Sequence, residues 1–149
     1  MDKKFLIFIA SNQEYAIDIA YVKEVIKKTE INALPQVPEA VKGIINHRGK
    51  TLHIFEVSKL LGQKNIANIE QKKIIIINIK DLNFGFLVDD VLEVITIKEE
   101  QIETPKDVIA KNFDAIFFNG IIKNEAEIIY LLNIENIIQQ KKLLPNLTY

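Results

Sequence analysis

Tyr15-Ala16-Ile17-Asp18-Ile19-Ala20-Tyr21-Val22-Lys23-Glu24-Val25-Ile26 lines up without a gap against Phe84-Gly85-Phe86-Leu87-Val88-Asp89-Asp90-Val91-Leu92-Glu93-Val94-Ile95, and Val-x-Glu-Val-Ile occurs in both stretches. Outward from this pair the agreement continues in order. Gly43-Ile44-Ile45 matches Gly120-Ile121-Ile122, and Leu52 to Leu61 matches Ile129 to Ile138, with Pro35 and Pro105 between the matched blocks of the two halves. Ordered self-similarity of this kind is the mark of one supersecondary unit present twice. A unit of about 70 residues built from short strands is the size of a small closed β-barrel. So small a barrel has little core of its own, and burying apolar residues at a seam between two of them adds stability at roughly 25 cal/mol per Å².

The local signals agree with a mainly β chain. Phe5 to Ile9, Tyr15 to Ile19, Gly43 to Asn46, Thr51 to Val57, Ile74 to Ile79, Phe84 to Val88 and Glu127 to Leu132 are short, rich in β-branched residues and bounded by turn residues. Helical pattern is brief: Ser58 to Leu61 closed by Gly62, a piece at Pro38 to Lys42, and an amphipathic tail over 133–144 that stops before Pro145. Asn65 to Lys72 reads as a polar connecting loop.

Composition excludes several function classes. The chain has 149 residues, 48% hydrophobic and 26% charged, enough for one domain or two small subdomains. Its net charge is −1 with lysines scattered, so there is no basic stripe to neutralise phosphates, and nucleic acid is not an expected partner. No apolar run reaches the roughly 18 residues of a membrane span, so direct membrane insertion is not expected; the run Phe5 to Ala10 is too short for a signal peptide, which reads as a cytoplasmic protein. Without cysteine there is no thiol nucleophile, disulfide or Cys-type zinc site.

Candidate chemistry is sparse. Serines stand only at Ser11 and Ser58, and the isolated glycines form no phosphate-cradling loop. Asp89 and Asp90 are adjacent, so on a strand they point to opposite faces and do not make an acid–base pair. His47, His53 and Glu56 are the residues on which a small metal-dependent hydrolase would have to rest, in no recognised ligand spacing. A protein surface is the better reading. Asn46-His47-Arg48-Gly49-Lys50 is a polar, Gly-closed turn between apolar strands, which presents Arg48 outward from a rigid support. Arg48 is the only arginine among nineteen basic residues, and a guanidinium offers a planar set of donors that lysine does not.

Ala33-Leu34-Pro35-x-x-Pro38-x-x-Val41-Lys42-Gly43-Ile44-Ile45-Asn46-His47-Arg48-Gly49 resembles the proline-bracketed segment and Asn-Leu-Arg-Gly turn of CheW-like domains. Tyr15 to Asp18 with Val22-x-Glu24-Val25, Phe84 to Asp89 with Val91-x-Glu93-Val94, and Leu132 to Glu135 are similar to further blocks of that family in the family's order. The resemblance implies two SH3-like, five-stranded β-barrel subdomains with short helices and a C-terminal helix. It gives a single domain over 1–149 in which the two subdomains are intertwined, the first barrel at about 15–80, the second at 81–132 plus the N-terminal strand, and the helix at 133–144. It implies a non-catalytic chemotaxis adaptor without cofactor or metal, a monomer in isolation. Such an adaptor couples chemoreceptor cytoplasmic tips to the regulatory domain of a CheA-type histidine kinase in arrays at the inner face of the membrane, or in a chemosensory system serving pili or another output. On that likeness Val22, Glu24, Val25, Val91 and Val94 are receptor-side candidates, and Gly43, Asn46 and Arg48 are candidates for the partner-binding turn. Three departures stand out: His47 replaces the usual Leu, His53 stands where Pro is common, and Glu56-Val57-Ser58 stands where Asp-Leu-Arg is typical.

Overall fold

The computed structural model describes residues 1–62, 69–103 and 117–140. Eleven strands are found there: β1 (Asp2–Ala10), β2 (Gln13–Asp18), β3 (Val22–Lys27), β4 (Val41–His47), β5 (Lys50–Glu56), β6 (Lys73–Ile79), β7 (Leu82–Val88), β8 (Asp90–Lys98), β9 (Ile102–Glu103), β10 (Phe118–Asn124) and β11 (Glu127–Leu132). Two α-helices, α1 (Val57–Leu60) and α2 (Ile134–Gln140), and two 3-10 turns, Ile19–Tyr21 and Glu99–Gln101, complete them. Among the described residues no helix is long and apolar enough to cross a membrane.

The strands form a six-stranded sheet, β8-β1-β2-β11-β10-β9, and a five-stranded sheet, β3-β6-β7-β5-β4. The sequence repeat explains this order once the halves are allowed to trade hairpins. Each sheet takes the opening hairpin of one repeat (β1-β2 or β6-β7) and the later strands of the other. The joint in each is a parallel pairing, β11 on β2 and β5 on β7, whose registers Tyr130↔Tyr15 and His53↔Phe84 occupy equivalent places in the two repeats. The limits expected near residues 15 and 80 each fall one strand later, after β2 and after β7. Tyr15 to Asp18 lies in the six-stranded sheet and Phe84 to Val88 in the five-stranded one, so the five-stranded unit is the continuous stretch β3 to β7, while the six-stranded unit joins β1 and β2 to β8–β11 on either side of it.

The two opening hairpins also share a turn. Ser11-Asn12 and Lys80-Asp81 each place two consecutive residues at positive φ, the two-residue geometry whose twist suits a hairpin. Gly43 and Gly120 sit at equivalent bulges in β4 and β10. A Cβ on Gly43 would stand 2.2 Å from the Asn32 carbonyl oxygen, and one on Gly120 would stand 2.6 Å from that of Glu103, so in both places the backbone needs glycine's bareness. Asn32 bridges to Ile44 as Glu103 pairs with Ile121; β9 is the extended form of what is a single bridge in the other sheet.

Burial follows the strand period of two, with both faces apolar. Phe5 and Ile7 point into a small cluster inside the six-stranded sheet, with Ile129 and Leu131, while Ile74, Ile76, Leu52 and Ile54 form its counterpart in the other sheet. The alternate residues, Leu6, Phe8, Tyr15 and Ile17 on one side and Ile75, Ile77, Phe84 and Phe86 on the other, meet in one large core between the sheets. That is why β1, β6 and β7 read as nearly unbroken apolar runs. Each sheet wraps its own small core as an SH3-like unit, but no ladder among the described residues joins its first strand to its last, which corrects the expectation of closed barrels. β3 and β8 are the edges at one end of their sheets, β4 and β9 those at the other.

Helix α2 seals the seam with Ile134, Ile137 and Ile138. The expected helix at Ser58 to Leu61 forms one residue earlier, as α1. The expected helical piece at Pro38 to Lys42 is a single turn, closed by Val41 N–H donating to the Pro38 carbonyl at 2.9 Å, after which β4 begins. Of the expected tail helix, 141–144 lies outside the described residues, as do Pro105 and residues 65–68 of the Asn65 to Lys72 loop.

Candidate protein-interaction site

Register places the duplicated valines. Val22 lies opposite Ile77 and Val25 opposite Ile75, while Val91 lies opposite Phe8 and Val94 opposite Leu6. Cross-strand partners share a face, and Ile75, Ile77, Leu6 and Phe8 all belong to the core between the sheets. All four valines therefore sit on the inter-sheet face of the two edge strands. Val22 and Val91 are half-buried against the seam. Val25 and Val94, one step further out, are 37% and 51% exposed, and Leu92 beside Val94 is 49% exposed. Among the described residues only Met1 and Ile128 are also large, apolar and exposed. A pair of apolar edges left by two covered sheets is a surface that a partner can bury.

Glu24, on the opposite face of β3, reaches the turn between β4 and β5. Its Oε1 accepts from Arg48 Nη2 at 3.0 Å, and its Oε2 lies 3.0 Å from His47 Nε2. The structure thus brings together one receptor-side candidate and one turn candidate separated by 24 residues in sequence. Arg48 (φ 52°) and Gly49 (φ 78°) form the two-residue turn, and the Arg48 side chain stays 73% exposed while tethered. Asn46 is exposed on β4. Gly43 is buried, so its part is to permit the backbone bulge, away from the turn itself. His47, one of the noted departures, is a tether to Glu24 that the residue pattern did not reveal.

The set His47, His53 and Glu56 does not converge. His47 is at the hairpin tip; His53 is buried within β5, where desolvation lowers its pKa. Glu56 ends the strand, paired with Lys42 at 3.3 Å and Lys59 at 3.4 Å. Among the described residues no three His, Cys, Asp or Glu side chains are grouped to hold a metal.

A polar hollow of about 260 Å³ lies where the sheets cross, lined by Ser11, Ser58, Glu56 and Asp89. Ser11 and Ser58 share a 2.7 Å hydroxyl hydrogen bond, and Ser11 N–H donates to Asp89 Oδ2 at 2.8 Å. Burial pushes the Asp89 carboxyl up, the Ser11 N–H pulls it down, and the Glu56 charge adds to the rise; the net direction is up. A carboxyl whose folded pKa exceeds its unfolded one contributes stability at pH below the unfolded value and loses it as pH rises through the folded value. Asp89→Asn keeps an acceptor for Ser11 and cannot ionise. It is expected to match wild type near pH 4 and to become the more stable of the two by pH 7, which urea unfolding at the two pH values checks.

Comparison with known proteins agrees with this architecture. The family profile described as CheW-like domain matches residues 4–142. A chemotaxis protein CheW of Thermotoga maritima is 34% identical over 137 residues, covering 91% of this chain and 87% of that one. The chemotaxis protein CheW of Bacillus subtilis is 27% identical over 139 residues, covering 93% and 88%. The crystal structure of the scaffolding protein TtCheW from Thermoanaerobacter tengcongensis superposes with a TM-score of 0.83 at 33% identity, covering 93% of this chain and 88% of that one.

Proposed function

The chain belongs to the family of CheW-like domains, non-catalytic chemotaxis scaffolds, and on that premise we propose that it couples chemoreceptor cytoplasmic tips to the regulatory domain of a CheA-type histidine kinase. The observation that carries this reading is the placement of Val22, Val25, Val91 and Val94 on one face of two unpaired edges, with Val25 and Val94 open to a partner. The receptor tip packs its apolar side chains there. The turn holding Arg48, flanked by the exposed Asn46, addresses the second contact, with Glu24 fixing the guanidinium and the buried Gly43 shaping the strand behind it. The adaptor acts as a monomer that gains strength from array avidity at the inner face of the membrane, where many feeble contacts multiply.

Arg48→Ala tests the turn. An exposed ion pair contributes little to folding, so stability should move by less than about 0.5 kcal/mol. Affinity for the kinase regulatory domain or for the receptor tip should fall about tenfold in a titration followed by calorimetry. Unchanged affinity for both would remove Arg48 from the contact, and loss of folding would make it structural.

A further inference from the structure

The repeat makes the two barrel tips directly comparable, and they carry opposite charge. At the tip between β4 and β5, Arg48 and Lys50 stand with Lys23 of β3, and the one carboxylate among them, Glu24, is taken up by Arg48 and His47. At the equivalent tip between β10 and β11, the residues in the places of Arg48 and Lys50 are Glu125 and Glu127, both exposed. Glu125 even shares the positive φ of Arg48, 57° against 52°. Glu93 holds the place of Glu24, and Glu14 lies nearby on β2. None of these four glutamates forms an ion pair with a described residue. Burial and then the Glu127 and Glu93 charges push the Glu14 carboxyl up, the response of carboxylates crowded together without a cation.

We propose that the β4–β5 tip docks an acidic segment of a partner protein, and that its duplicate, the β10–β11 tip, turns the same segment away. The recess at the first tip, about 170 Å³ and lined by Arg48, Lys50, Lys23, Leu52 and Ile76, offers cations over an apolar floor. Two barrels with one backbone plan would otherwise present a partner with two similar landing places. Repulsion at one of them fixes the orientation, which is specificity obtained by rejecting the wrong mode. This deepens the adaptor reading and rests on it for the partner's identity.

The test uses the full chain, amide NMR spectra and two labelled dodecapeptides, one of alternating Glu and Ala, the other of alternating Lys and Ala, at low ionic strength. The Glu peptide should shift amides of the β4–β5 tip and leave those of the β10–β11 tip in place. Arg48→Glu with Lys50→Glu should weaken it at least tenfold, and Glu125→Arg with Glu127→Lys should create a second site. Binding of both peptides alike at the first tip, or no loss on charge reversal, would overturn the proposal. Kinase or receptor binding that keeps its strength and salt dependence in Arg48→Glu with Lys50→Glu would also overturn it while sparing the adaptor reading. A wild-type chain that takes the Glu peptide but neither partner would overturn the adaptor reading instead.

Discussion

Phe84→Ala is expected to cost about 3–5 kcal/mol and to lower the thermal midpoint by roughly 10 °C or more, in a single transition. The ring is fully buried in the core between the sheets, edge-on to Phe55 at 5.7 Å and tilted against Phe86 at 5.4 Å. Removing it leaves a cavity with rings on two sides, which the surroundings fill only in part. The single transition follows from the exchange of hairpins. β7 belongs by sequence to the second repeat and by pairing to the first repeat's sheet, and its outward face packs into a core that both sheets share. Neither sheet can therefore unfold while its neighbour stays whole. Calorimetry checks both statements; two separated transitions would show that the barrels are independent.

The second large effect is on binding. Val25→Asp with Val94→Asp is expected to weaken receptor-tip association by at least a hundredfold while leaving most of the folding free energy intact. Both positions are open, so the new carboxylates stay hydrated in the free protein. In a complex they must be dried against an apolar partner, at a cost of several kcal/mol for each unpaired charge. Sedimentation of receptor-tip peptides with the wild-type and double-variant chains reads this directly. Undiminished association would move the receptor contact away from the two edges.

The repeat, the two small β units and seven of the eleven strands were legible in the residues, but β3, β8, β9 and β10 were not singled out. The exchange of hairpins was legible only in part: the resemblance put the N-terminal strand with the later strands and Ile74 to Ile79 with the earlier ones, but not β2 and β7 beside them. When two units share one pattern, the pattern of each strand is satisfied equally by its own sheet and by its twin's, so self-similarity cannot say which it joins. The unbroken runs Phe5 to Phe8 and Ile74 to Ile77 held the clue, for a strand apolar on both faces is covered on both. The valines were legible as a set, but which of each pair would be open depended on register against β1 and β6. The Glu24, His47 and Arg48 cluster could not be read, since its members meet only when β3 and the β4–β5 turn come to the same end of one sheet. Pro38 to Lys42 misled because one turn followed by a strand begins with the same residues as a short helix.

The most direct measurement mixes the purified chain with the kinase regulatory domain and receptor cytoplasmic tips from its own genome and follows all three by analytical ultracentrifugation. Interleaved sheets that exist to hold other proteins predict a ternary species that forms with this chain and is lost without it. Three components that sediment separately at every concentration would contradict that account.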